Sequence, residues 1–131
     1  MGRMAKWAYL LGGFAALSGA AGVTQAAVAA HLVPDPLLGT STEFLLFNAS
    51  AVIAIVAMSL ADSQPRASLL VAASTLLGGC LLFCGELTAH ALLGRKILPL
   101  AAPVGGALMI VGWLIGVLAV FARLFEGERR Q

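Results

Sequence analysis

The chain has 131 residues, 60% of them hydrophobic and 11% charged, and its mean hydropathy is +0.97. Soluble domains carry about 25% charged residues, so this chain has too few to cover a water-facing surface, and lipid must be its solvent. Its net charge of +2, spread over no continuous basic face, argues against a nucleic-acid partner.

A hydrocarbon core of roughly 30 Å takes about 20 helical residues, and four segments meet or approach that length. The first is expected over about 7–30. Arg3 and Lys6 followed by an apolar run, with small residues after Val23, imitate a signal peptide. The uncharged run continues to Ala30, however, long enough to span, so a retained first helix is expected. Val33-Pro34-Asp35-Pro36 and Gly39-Thr40-Ser41 read as the first loop. The second span, about 43–60, opens on a Ser41-Thr42-Glu43 capping region. Asp62-Ser63-Gln64-Pro65 breaks the chain before a third span at about 67–93. Gly94-Arg95-Lys96 separates that from a fourth at about 98–121, with Pro99 and Pro103 near its start. The pattern predicts an all-α membrane protein of four transmembrane helices forming one domain over residues 1–131.

Orientation follows from positive charge. With a cytoplasmic N-terminus, the inside holds Arg3, Lys6, Arg66, Arg123, Arg129 and Arg130, and the outside only Arg95 and Lys96. Both termini are therefore predicted to be cytoplasmic.

Glu86 and His90 stand one helical turn apart inside the third span, on one face. Ionisable groups at that depth are costly and usually face a bundle interior or a wet cavity. The topology also carries His31, Glu43 and Asn48 to the same level. His31, Glu43, Asn48, Glu86 and His90 are accordingly expected to converge in the outer half of the membrane as a polar centre. Glu86 admits three readings: a protonated carboxyl bonded to His90 or Asn48, a proton or cation carrier, or a metal ligand with His31 and His90. His31 and His90 also suit the interface, Glu43 a helix first turn, and Asn48 an interhelical hydrogen bond.

Small residues mark expected helix contacts, because they let backbones approach. In the third span Thr75, Gly79, Leu82, Glu86, Ala89 and His90 share a face that should pack inward, with Cys80 and Cys84 roughly opposite. The cysteines have CxxxC spacing, unlike the CxxC of redox motifs, and read as packing residues. Gly112 and Gly116 form a GxxxG pair, and Gly12, Ala16, Ala20 and Thr24 recur every four residues. Pro103 should leave a carbonyl near Pro99 free. Trp7 reads as an interfacial anchor and Trp113 as a packing residue.

The C-terminal half carries Leu82-Phe83-Cys84-Gly85-Glu86-Leu87, Ala102-Pro103-Val104-Gly105-Gly106 and Gly112-Trp113. This string resembles the "LFSGSL … TPVGG … GW" pattern of the domain of unknown function 423 family, the YgdD-like four-span membrane proteins. Ala26 to His31 resembles that family's "GAFGAH" segment, and the likeness covers roughly residues 10–122. It implies four membrane helices and lends no established activity. The chain reads as a divergent member. Where the family shows "EYQxxH", Glu43 to Asn48 lacks the glutamine and second histidine, Glu86 replaces a small serine, and His90 stands where an apolar residue is usual.

Three functions are compatible with these residues. One is a structural or accessory subunit or assembly factor, in a homo-oligomer or larger membrane complex. The second is a proton-coupled transporter of a small molecule or cation using Glu86 and His90. The third is a metal or haem site at His31 and His90. Neither CxxCH nor HExxH occurs, no cofactor follows from the sequence, and no serine has a visible His/acid pairing, so an enzyme is not expected. The bacterial inner (plasma) membrane is the expected location.

Overall fold

A computed structural model describes residues 1–128, with side chains through 126. Arg129 and Arg130, counted above among the cytoplasmic charges, lie outside the described residues. The chain forms four α-helices: α1 (Arg3–His31), α2 (Pro36–Leu60), α3 (Ala67–Leu93) and α4 (Ala101–Glu128). Each contains a stretch long and apolar enough to cross a membrane.

The helix ends have local causes. α2 begins well before Glu43, because Asp35 caps it by accepting from the Leu37 N–H (2.7 Å) and Pro36 occupies its first turn. Gly39-Thr40-Ser41, expected as loop, is therefore helical. There the Thr40 hydroxyl donates to the Pro36 carbonyl (3.1 Å) and the Ser41 hydroxyl to Cys84 O of α3 (3.2 Å). α3 ends at Gly94, whose φ of +69° suits glycine and lets its N–H reach His90 O (2.9 Å). Residues 94–100 form the turn. Pro103 falls in the first turn of α4, where backbone N–H groups have no intrahelical acceptor anyway. It starts the helix without breaking a bond, and it is exposed instead of packed.

Contacts run antiparallel from each helix to the next. A Cβ on Gly22 would meet Leu45 and Leu46, Ser41 meets Cys84, and Gly112 meets Leu76. α1 and α3 therefore run together, and both termini of the bundle lie at one end. α1 packs on α2 and more lightly on α3, while α4 packs on α3. Half of the most apolar stretch of α3 is buried, against 17% for α1. α3 is thus central, with two buried faces. One carries Gly79 toward α4; the other carries Cys80 and Cys84, 1% and 2% exposed, toward α2. The Gly79 face packs inward as expected, and the cysteines on the other side of the helix pack as well.

Lipid supplies no hydrophobic drive between helices, so close packing must hold them. The α3–α4 seam is the closest. A Cβ on Gly105 would stand 2.5 Å from Phe83 N, and one on Gly79 2.7 Å from Gly105 O. One on Gly112 would stand 2.7 Å from Leu76 N. Gly116 has only an ordinary contact with Ala72 (3.9 Å), and a Cβ on Gly106 would meet nothing within 4 Å among the described residues. In α1 the buried row is Ala8, Leu11, Ala15, Ser18 and Gly22. Ala16, Ala20 and Thr24, expected to pack, are exposed.

Candidate functional site

Glu86 is 7% exposed, and each of its carboxylate oxygens accepts a hydrogen bond. Oε1 accepts from the Ile97 N–H (3.0 Å) and Oε2 from the Leu98 N–H (2.9 Å). α3 supplies the acid and the following turn supplies the donors, so the side chain clasps the α3–α4 hairpin shut. Hydrogen bonds to an ionised carboxylate are among the stronger ones, about 1.5–3 kcal/mol each. Glu86 also borders a cleft of about 240 Å³ that includes Leu82, Ala89 and Ala101.

The other expected members of the polar centre lie apart. His31 and Glu43 are exposed and His90 half-buried. No hydrogen bond or ion pair joins any two of His31, Glu43, Asn48, Glu86 and His90 among the described residues. Asn48 is 2% exposed; its Nδ2 donates to Phe44 O (2.9 Å) and to Met109 Sδ of α4 (3.5 Å). No group of three His, Cys, Asp or Glu residues gathers as a metal cage among the described residues.

A different polar cluster joins three helices. Gln25 Nε2 of α1 donates to Thr88 Oγ1 of α3 (2.8 Å), which shares a hydrogen bond with Ser41 Oγ of α2 (3.0 Å). The Ser41 hydroxyl continues to Cys84 O. The Cys84 and Cys80 thiols donate to Ser41 O and Phe44 O (both 3.5 Å), and their sulfurs lie 3.8 Å apart. Sequence reasoning missed Gln25, Ser41 and Thr88; the signal was a lone amide in an apolar span. Trp7 was expected at the lipid interface; its Nε1 donates to Ser74 Oγ of α3 (3.0 Å), tying α1 inward.

The end that carries the termini has an ion-pair network. Asp62 meets Arg66 (3.1 Å) and Arg123, and Arg66 meets Glu126. The hydrogen bond from Arg123 holds the Asp62 carboxyl below its ordinary range, outweighing the desolvation that opposes it. Ser59 Oγ accepts the Arg66 N–H (2.9 Å), closing the α2–α3 turn. Two of the arginines counted for orientation are therefore also structural ties.

Residues 25–106 match the family described as "Protein of unknown function (DUF423)". A UPF0382 membrane protein of Haemophilus influenzae is 34% identical over 107 residues, covering 76% of this chain and 83% of that protein. No solved structure matches. With four long apolar helices and a family match across most of its length, this chain belongs to the DUF423 family, a small membrane protein of a family whose function is unknown.

Proposed function

We propose that the protein is an accessory component of the bacterial inner membrane, a small subunit or assembly factor, and not a carrier or an enzyme. The observation behind this reading is the occupancy of Glu86. A carboxylate that alternates between proton and cation must share or give up the bonds it already makes, and each oxygen here already accepts a backbone N–H of the turn. Gln25 Nε2, Thr88 Oγ1 and Ser41 Oγ likewise bond between helices, while Gln25 Oε1 is buried with no partner among the described residues. Both termini face the cytoplasm in this reading, as the balance of positive charge favours.

The test is proton movement in vesicles reconstituted with purified protein and loaded with a pH dye. Addition of varied organic and metal cations should release no protons beyond empty vesicles, and Glu86→Gln should behave like the wild type. Cation-stimulated release that disappears in Glu86→Gln would overturn the reading in favour of exchange at Glu86. That alternative draws on one observation, the cleft that Glu86 borders. The bilayer orientation is checked separately, by labelling single cysteines placed at Ser63 and Lys96 in a chain lacking Cys80 and Cys84. Ser63 should be protected from an impermeant reagent in intact cells and Lys96 should react.

A further inference from the structure

A second cleft, of about 310 Å³, opens where α2 and α4 flank α3. The chain has six Phe, two Trp and one Tyr, and Phe44, Phe47, Phe83 and Trp113 all line this one space. Phe44 and Phe83 pair at 5.0 Å and Phe47 and Trp113 at 5.8 Å, both tilted, so the aromatic walls come as two pairs. The volume lies at the lower end of the roughly 300–1,000 Å³ of small-molecule pockets. Gly106 also borders it, and a Cβ there would meet no described atom within 4 Å. In this family-like Gly105-Gly106 pair, the first glycine brings backbones together and the second leaves space.

Asn48 lies in the wall of the cleft. Phe44 O is an acceptor and fixes which end of the amide is nitrogen. That leaves Oδ1 as a buried acceptor with no partner among the described residues. Nδ2 has a second bond only to the Met109 thioether, a weak acceptor on a flexible side chain that also lines the cleft. Hydrocarbon offers no water to satisfy such a group. Behind the apolar wall of the cleft the amide thus holds one unused acceptor beside one weakly held donor, the complement of a hydroxyl, which gives one hydrogen bond and takes one.

We propose that the cleft bounded by Phe44, Phe83, Met109 and Trp113 binds a flat, membrane-soluble ring bearing a hydroxyl, a phenol or quinol, with Asn48 bonding that hydroxyl. The aromatic pairs select a ring over a linear alcohol. The lone Oδ1 selects a donor over an acyl chain or bare hydrocarbon. Met109 is the movable cover: rotation of its side chain exposes the amide as the ligand enters.

Trp113 supplies the readout. In full-length Trp7→Phe protein in phosphatidylcholine nanodiscs, Trp113 fluorescence is titrated with 4-bromophenol, with bromobenzene, and in separate discs with a lipid brominated on its acyl chain. At equal membrane concentration, bromophenol should quench saturably and about tenfold more tightly than bromobenzene, the scale of one neutral hydrogen bond. Asn48→Leu should abolish that difference. Gly106→Leu, filling the open wall, should remove saturable quenching by both rings without lowering the melting temperature. Equal, non-saturable quenching by the two rings in unaltered Asn48 protein would overturn the proposal without any variant. So would acyl-chain quenching that bromophenol fails to relieve, since the occupant would then be lipid. Should Gly106→Leu fail to fold, the ring comparison and Asn48→Leu still decide the matter.

Discussion

The bundle consists of two helical hairpins built by different means. In the α3–α4 hairpin, Gly79, Gly105 and Gly112 bring backbone against backbone, Glu86 clasps the turn, and Arg66–Glu126 and Asp62–Arg123 tie the far end. The α1–α2 hairpin has one tight glycine, Gly22, whose Cβ would lie 3.0 Å from Leu46, while Gly19 and Gly12 have ordinary contacts at 3.6 and 3.9 Å. Its turn is held by the Asp35 cap. Yet α1 has the longer row of small residues at four-residue spacing. Four residues on a helix advance 400°, so such a row drifts by 40° at each step and winds off the contact. Gly105 and Gly112, seven apart, return to within about 20° of each other and remain on the seam. Alternating three- and four-residue steps, as in Ala8, Leu11, Ala15, Ser18 and Gly22, do the same for α1.

Gly105→Ala tests this contrast most severely. Its Cβ would fall 2.5 Å from a backbone nitrogen, which cannot yield as a side-chain tip can. A loss of about 3 kcal/mol is expected, read from reversible denaturation in mixed detergent micelles. Gly112→Ala should behave alike. A loss confined to Gly116→Ala, with Gly105 tolerant, would reverse the assignment of the seam.

Glu86→Gln comes next. Glutamine keeps one carbonyl acceptor but turns an N–H₂ toward the other backbone N–H, placing donor against donor. A loss of about 1–3 kcal/mol is expected in the same measurement. Faster hydrogen exchange should be confined to the Ile97 and Leu98 amides. Unchanged protection at those two amides would show that the clasp does not form in the membrane.

How much of this was legible in the sequence depends on which atoms make each contact. Four spans were legible because hydropathy is a property of residue type, and the cap at α2 was written in Asp35-Pro36 although Gly39-Thr40-Ser41 masked it. The partner of Glu86 was not legible. It is backbone amide, which every residue but proline carries, on a turn whose Leu98 reads as the start of a helix. The polar centre was inferred from depth alone, and depth says nothing of azimuth: Glu43 and Asn48, a little over a turn apart on α2, point about 140° apart, and one is exposed and the other buried. Helical periodicity also assumes one inward face, which a central helix such as α3 lacks.

Acid should loosen the far end of the α3–α4 hairpin. The folded Asp62 carboxyl is held below its ordinary 3.8 by Arg123, so the network's contribution is full above that value. It is lost as pH falls through the lowered folded value. Asp62→Asn should be less stable than wild type at neutral pH and equal to it at low pH. The gap should also narrow in high salt, because the pairs are near the surface. A gap that persists in acid would mean that Asp62 acts through its shape and not its charge.

The smallest effect carries the opposite sign. Gly13 lies on the exposed side of α1, and an added Cβ there would meet nothing within 4 Å among the described residues. Gly13→Ala therefore adds no clash and removes the conformational freedom that glycine gives the unfolded chain. A gain of up to about 1 kcal/mol is expected. Ala16→Leu, on the neighbouring exposed position, should change stability by less than about 0.5 kcal/mol, since its new side chain meets lipid. Both measurements belong in dilute micelles and again in concentrated bilayers. A penalty that emerges only at high protein density would show that the small-residue row of α1, idle within the chain, is covered by a second molecule.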